Sequence, residues 1–292
     1  MYKLNSTSRG LVAHGISTCA GCGLEVVIRK ILDVLGKDTV IVIPPGCAAL
    51  FSGYGNETTL KIPGLQGNLE NTAAYAAGIK AGFEMQGRDD ITVLGLAGDG
   101  ATVDIGIQAL SGAFERGDKI LYVCYDNEAY MNTGIQGSGS TPLMASTTTT
   151  PAGKPAPRKN MMEIAAAHGI PYAASASVGY IEDLKKKVEK AKNANANGPA
   201  YLHVHTPCPT GWQFDPALTI EVAKTAVQTG AWVLMEIEYG KTTLNRNLDK
   251  LKPVDAYLKM QGRFKHITET DIKNIQEDIN NNISRLKQRI NK

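Results

Sequence analysis

The chain has 292 residues, 43% hydrophobic and 20% charged, the balance of an ordinary globular protein with a sizeable core. A net charge of +3 and few aromatics, not interleaved with Lys or Arg, give neither nucleic acid nor an anionic membrane a surface to bind. No stretch approaches the roughly 18 apolar residues of a membrane span, and the opening MYKLNSTSRGLVAHG has no apolar signal core, so a cytoplasmic protein is expected. Its five cysteines would then be kept reduced, which argues against a disulfide framework.

Residues 1–18 read as an irregular lead into Cys19-Ala20-Gly21-Cys22-Gly23. A helix is predicted over 24–35, with Val27, Ile28, Ile31, Leu32 and Leu35 on one side. A short strand over 40–43 runs into Pro44-Pro45-Gly46-Cys47, so a third cysteine follows a strand end. Residues 53–71 read as a Gly/Asn/Pro-rich loop, and 72–85 as a helix whose Ala and Gly residues allow close packing.

The stretch 91–134 concentrates the chemistry. It predicts a buried strand over 91–97, Gly98-Asp99-Gly100, a helix over 103–116, a second strand over 120–124 and the loop from Asp126 to Gly134, which contains NEAYMNTG. Apolar runs without alternation suit parallel strands covered on both faces. Ligands of open α/β sheets sit beyond the carboxyl ends of strands, so Asp99 and Asn127 should point into one crevice. An Asp carboxylate and an Asn amide oxygen make a sparse oxygen set, which suits Mg²⁺ when a substrate diphosphate fills the rest of its octahedron. Glycine backbone and the helix N-terminus near 103 would favour phosphate. Taken alone, Gly-Asp-Gly could equally be a turn.

Residues 135–160 form a long Ser/Thr/Gly/Pro-rich loop, expected to cover the site rather than to link domains. Beyond it the pattern predicts a helix over 161–168, a strand over 172–176, an amphipathic helix with a solvated lysine face over 180–194, and a strand over 201–205 that leads to Cys208. His203 and His205 alternate on that strand and read as structural. A helix over 216–229, a strand over 232–239 and a polar loop over 241–247 come next. The chain ends in an amphipathic helix carrying Ile272, Ile275, Ile279, Ile283, Leu286 and Ile290, capped by Thr268 or Thr270, which packs on this domain or on a partner. Strand-helix alternation argues an α/β fold with a mostly parallel sheet. The expected division is a main domain, 1–240, and a C-terminal extension, 241–292.

Cys124 lies inside an apolar strand and reads as a small buried hydrophobe. Cys19, Cys22, Cys47 and Cys208 lie in loops, and local chemistry leaves an iron–sulfur cluster, a Cys₄ zinc site and structural cysteines equally open.

Asp99 and Asn127, 28 positions apart with one helix and one strand between them, resemble the Gly-Asp-Gly…Asn motif of thiamine-diphosphate enzymes. With NEAYMNTG, and with Cys19, Cys22, Cys47 in PPGCAAL and Cys208 in TPCPTG, the chain is similar to the β subunit of the pyruvate:ferredoxin oxidoreductase (2-oxoacid:ferredoxin oxidoreductase) family, from about residue 10 to 264 including MQGRF. The resemblance implies the thiamine-diphosphate-binding fold (its diphosphate-binding domain), with helices on both faces of the sheet. It implies coenzyme-A-dependent oxidative decarboxylation of a 2-oxoacid, pyruvate being favoured over 2-oxoisovalerate, 2-oxoglutarate and oxalate, with electrons leaving through a [4Fe–4S] cluster to ferredoxin.

By the same carry-over Asp99, Asn127 and the carbonyl of Ala129 hold Mg²⁺, Gly98 and Gly100 cradle diphosphate, Asn132 acts near the reacting carbon, and the four loop cysteines hold the cluster. Fused members carry a Glu two positions after the second cysteine; here that position is Leu24, with Glu25 next. No second β-α block remains to supply the pyrimidine-binding domain and its activating Glu, so an α-type partner subunit is expected, with γ and δ ferredoxin-like subunits. The rival readings are a non-redox thiamine-diphosphate decarboxylase with structural zinc, and a non-catalytic interaction subunit.

Overall fold

The computed structural model describes residues 10–52 and 58–290; parts of the predicted lead 1–18 and loop 53–71 lie outside them. Eight strands form one sheet: β1 (Thr39–Ile43), β2 (Gly64–Gln66), β3 (Thr92–Gly98), β4 (Leu121–Asp126), β5 (Tyr172–Ser177), β6 (Ala200–His205), β7 (Met235–Glu238) and β8 (Lys241–Leu244). Their order is β2-β1-β3-β4-β6-β5-β7-β8. The first six run parallel, and β7 and β8 add an antiparallel edge. The α/β architecture with a mostly parallel sheet is therefore as the alternating pattern required.

The helices are α1 (Gly23–Leu35), α2 (Thr72–Met85), α3 (Ile107–Arg116), α4 (Met161–Ala167), α5 (Ile181–Ala194), α6 (Pro209–Trp212), α7 (Thr219–Gln228), α8 (Asp255–Leu258) and α9 (Glu269–Ile290). They cover both faces, as parallel strands demand. On one face α1 and α5 pack Val27, Ile31, Leu184 and Val188 against Ile41, Leu94, Val123 and Leu202. On the other, α2, α3 and α4 pack Ala76, Phe114 and Met161 against Val93, Tyr122 and Tyr201. A third cluster joins Trp212, α7, Trp232, α8 and Ile275 of α9. Cys124 is fully buried in the second cluster, as its apolar strand implied.

Differences from the sequence-based reading have local causes. β2 and β8 fall where the pattern gave only loop; β2 is three residues with every side chain exposed, and β8 alternates exposed and half-buried positions, so neither shows an apolar run. The helix expected from 103 begins only at Ile107, because residues Gly100–Asp104 form a wider π-type turn. The expected 240/241 boundary falls in the turn between β7 and β8. Residues beyond it stay attached to the sheet through β8 and to the third cluster through α8 and α9. Among the described residues no helix is long and apolar enough to cross a membrane.

Candidate active site

Sheet order brings the expected residues together. β1, β3, β4 and β6 are neighbours, and Cys47, Asp99, Asn127 and Cys208 follow their carboxyl ends in turn. Gly98 pairs with Tyr125, and Asp126 with His205, so Asp99 and Asn127 leave adjacent strands at the same level.

One terminal atom of the Asn127 amide lies 2.9 Å from the Ala129 carbonyl oxygen and 3.0 Å from Asp99 Oδ1. With the amide oxygen there, three acceptors meet and need a cation; with the nitrogen there, the amide donates to both. Oxygen and nitrogen of an amide are assigned from such partners. Asp99 is fully buried, and among the described residues no cationic side chain pairs with it. Ser138 Oγ donates to Asp99 Oδ2 at 2.5 Å. Burial, then the neighbouring charge of Asp126, pushes the Asp99 carboxyl well above the usual carboxylate range despite that bond. A buried carboxylate without a counter-ion is costly, and a bound cation removes that cost. The donor set fits a hard divalent ion, provided that a diphosphate would supply its remaining ligands.

The glycines beside Asp99 have a packing reason. A Cβ on Gly100 would lie 2.5 Å from the Tyr130 ring, and one on Gly98 would lie 3.2 Å from Tyr125. Tyr125 Oη in turn accepts from Ala48 N at 3.1 Å, tying the Cys47 turn to β4. Asn132, expected near the reacting carbon, is exposed in the turn after Tyr130, and the structure does not place it on the three oxygens.

The cysteine loops approach one another, but among the described residues no three Cys, His, Asp or Glu side chains are grouped closely enough to hold a metal ion as they stand. Gly21, between Cys19 and Cys22, has φ +69°, and a Cβ there would lie 2.4 Å from Pro216 O. Thr219 Oγ1 donates to Gly21 O at 2.6 Å, and Gly23 sits against Thr206 and Pro207. The CxxC turn is thereby held on the segment that carries Cys208. Cys22 and Cys208 begin α1 and α6, and Gly211 N donates to Cys208 Sγ at 3.4 Å. Burial, then the charges of Cys208, Cys22 and Cys19, pushes the Cys47 thiol up to about 12. Burial pushes Cys208 up to about 11, with Cys22 and Cys19 adding to it. All four thiols are free, and Cys19 is exposed. Burial and mutual repulsion keep Cys47 and Cys208 as neutral thiols, and a bound metal or cluster would be what stabilises their thiolate forms.

Around Asn127 lies a polar network that sequence reasoning missed. His203 Nε2 lies 2.7 Å from Asp126 Oδ2, and His203 Nδ1 lies 2.6 Å from Tyr201 Oη. Burial would raise Asp126, but His203 and Arg158 outweigh it and hold the carboxyl below its usual range. The strand pairing of Asp126 with His205, two residues from His203, was the available signal, but it needed the order of the strands. Glu25, next to the departure at Leu24, pairs with Arg29 and accepts from Thr18, while Leu24 is buried core.

The loop 135–160 covers this region: besides Ser138, Thr141 Oγ1 donates to Glu128 O at 2.6 Å, and the Thr147–Thr150 tract folds back on residues 135–137. A cavity of about 460 Å³ adjoins the polar network, lined by Asp126, Arg158, His203, Trp232, Tyr257 and residues of α9. Neither the three oxygens nor the thiols line it, so donor chemistry rather than concavity marks the site.

The family model for the thiamine pyrophosphate enzyme, C-terminal TPP binding domain, matches residues 45–204. Pyruvate synthase subunit PorB of Methanothermobacter thermautotrophicus is 52% identical over 271 residues, covering 91% of this chain and 93% of that protein. Ketoisovalerate oxidoreductase subunit VorB of Pyrococcus abyssi is 44% identical over 285 residues, covering 94% and 91%. Among solved structures, 2-oxoglutarate:ferredoxin oxidoreductase from Magnetococcus marinus shares the fold with a TM-score of 0.58 at 20% identity, over 73% of this chain and 79% of that one.

Proposed function

We propose a function from one premise: this chain belongs to the thiamine-diphosphate enzyme family, and within it to the 2-oxoacid oxidoreductase subunits that include PorB and VorB. It acts as the β-type subunit of a pyruvate synthase, an oxidoreductase that interconverts pyruvate with acetyl-CoA and CO₂, and electrons pass to ferredoxin. Identity is higher to PorB than to VorB, which favours pyruvate over the branched 2-oxoacid.

The observation that carries the cofactor reading is the meeting of Asp99 Oδ1 and the Ala129 carbonyl oxygen at the Asn127 amide, each within 3.0 Å of it. These would hold Mg²⁺ on the diphosphate of the cofactor, with Ser138 steadying Asp99. Cys19, Cys22, Cys47 and Cys208 would hold a [4Fe–4S] cluster; the CxxC turn held against the Cys208 segment, and the charges of Cys208, Cys22 and Cys19 acting on Cys47, support it. When bound, thiamine diphosphate supplies carbanion stabilisation and the cluster supplies one-electron transfer. The chain's own part is to fix the diphosphate end, to keep the thiols on the same sheet rim, and to cover the oxygens with the loop 135–160. Asn132, exposed near that loop, is the proposed polar donor to substrate. Gly98 and Gly100 would leave backbone open to phosphate beside the tyrosine rings.

The relatives are subunits by name, and the activating Glu and pyrimidine site are proposed to come from an α-type partner, with γ and δ ferredoxin-like subunits completing the route. A zinc reading of the cysteines has no observation in its favour over the cluster. The decisive experiment uses the assembled complex. Asp99→Ala should leave assembly and the iron and labile-sulfide content intact, and should abolish coenzyme-A-dependent dye reduction across pyruvate, 2-oxoisovalerate and 2-oxoglutarate. Retained turnover, or zinc in place of iron and sulfide, would overturn the reading; the wild-type rates rank the substrates.

A further inference from the structure

Between the two proposed ligands Asn127 and Ala129 stands Glu128, and its circumstances are unusual. Its backbone is left-handed, φ 64°, a region that costs a non-glycine residue free energy. Its side chain is completely buried, yet it carries a carboxylate. Such a conformation persists when surrounding structure over-determines it. Here it does. Arg263 Nη2 donates to Glu128 Oε2, and Arg158 Nη2 lies 3.0 Å from Oε1. Arg158 reaches in from the loop 135–160, and Arg263 from the segment after α8.

Arg263 is itself fixed on all sides. Its Nε donates to Gln261 Oε1 at 2.9 Å, and its backbone carbonyl accepts from Ser146 N at 3.0 Å. Its guanidinium lies 3.8 Å from the centre of the Trp212 ring, a cation–π stack. Trp212 Nε1 then donates to Asn127 O at 2.8 Å. Two arms thus run from one guanidinium to one turn: directly to the Glu128 carboxylate, and through the indole to the Asn127 carbonyl. The same turn is closed by Glu128 N donating to Asp126 Oδ1 at 2.8 Å.

We propose that Arg263, assisted by Arg158, is a positioning residue for the divalent cation: by clamping Glu128 in its left-handed turn it holds the Asn127 amide and the Ala129 carbonyl on the Asp99 side. Neither arginine touches the ion. A turn free to relax would swing two of three protein oxygens away, because the residue between them has no intrinsic preference for that conformation. The inference rests on the metal reading above and assigns a role to a residue 135 positions from Glu128 in the chain.

The test is a titration of the assembled complex with Mn²⁺ in place of Mg²⁺, free ion followed by electron paramagnetic resonance, with thiamine diphosphate retention by dialysis and kcat at saturating metal. Arg263→Met keeps apolar volume over Trp212 and removes the charge. It should raise half-saturating Mn²⁺ by about tenfold, equivalent to about 1.4 kcal/mol, with kcat at saturating metal held near wild type. Arg263→Lys, which keeps the charge, should recover most of the affinity. A merely structural arginine would lower the denaturation midpoint and leave half-saturation where it was. Unchanged half-saturation in Arg263→Met overturns the proposal. Should that variant not fold, Arg158→Met decides in the same titration, a rise supporting the clamp and no rise overturning it. Wild-type complex that keeps its thiamine diphosphate without any divalent cation would sink the metal reading itself, a result distinct from wild-type dependence with indifferent variants.

Discussion

At the scale of single residues, His205 shows how burial sets a pH limit. It is fully buried between the Trp212 and Trp232 rings, and burial pushes its pKa down to about 4. Because the folded pKa lies below the unfolded one, its contribution is fully present above about pH 6.5 and is lost as pH falls toward 4. The shift corresponds to something on the order of 3 kcal/mol at most. His205→Phe keeps the ring stack and removes the titration, so its denaturation midpoint should fall less steeply than wild type between pH 6.5 and 4. Parallel slopes would show that other groups set the acid limit. Gly100 gives a steric counterpart: Gly100→Ala puts a methyl 2.5 Å from the Tyr130 ring, against which the ring must move. Overpacking of this kind costs about 1–3 kcal/mol. Tyr130 belongs to the loop that carries Asn127 and Ala129, so the variant should also weaken thiamine diphosphate retention, measurable by dialysis; unchanged retention would separate the ring from the site.

At the scale of elements, those legible in the sequence had an unambiguous period or a strong stop. α2 runs over Thr72–Met85, as its small-residue pattern and the nearby Gly87 indicated, and β3, β4, β5 and β6 are apolar runs ended by turn residues. β2 and β8 were not legible, because exposed edge strands bury no alternating face. The π-type turn at Gly100–Asp104 was hidden by an ordinary helical pattern; its geometry depends on contacts such as Gly106 against Ala101 O, where a Cβ would sit at 2.0 Å. Asp99, Asn127, Cys47 and Cys208 could be placed beyond strand ends because each directly follows an apolar run, and Cys19 and Cys22 ahead of α1 because the CxxC precedes its helical pattern. Arg158, Arg263 and His203 could not, since each meets the site only through the order of the strands or a long loop.

α9 offers a prediction at this scale. Thr268 Oγ1 accepts from Asp271 N at 3.2 Å while Asp271 Oδ2 accepts from Thr268 N at 2.8 Å, a reciprocal cap that resolves the choice between Thr268 and Thr270. Thr268→Ala should cost about 1 kcal/mol, seen as faster amide exchange in the first turn of α9; Thr270→Ala should leave that exchange unchanged.

For the whole molecule, the decisive feature is that chemistry from four strand ends and the start of α1 is gathered on one rim, although it is spread from Cys19 to Cys208 in sequence. The oxygens belong to β3 and β4, and the thiols to the turns after β1 and β6 and to the approach to α1. Each half depends on the same loop packing, since Tyr125 joins the Cys47 turn to the Gly98 backbone. Loss of the proposed cluster should therefore disturb the rim while leaving the eight-stranded core, whose packing lies on the two faces of the sheet. Removing iron with a chelator under reducing conditions should abolish electron transfer to ferredoxin and the broad visible absorbance. Far-ultraviolet circular dichroism should stay near its native value, and divalent-dependent retention of thiamine diphosphate should fall only partly. Collapse of the circular dichroism signal would mean that the cluster, rather than the apolar faces, holds the fold. Full retention of electron transfer after iron removal would mean that the four thiols carry no cluster at all.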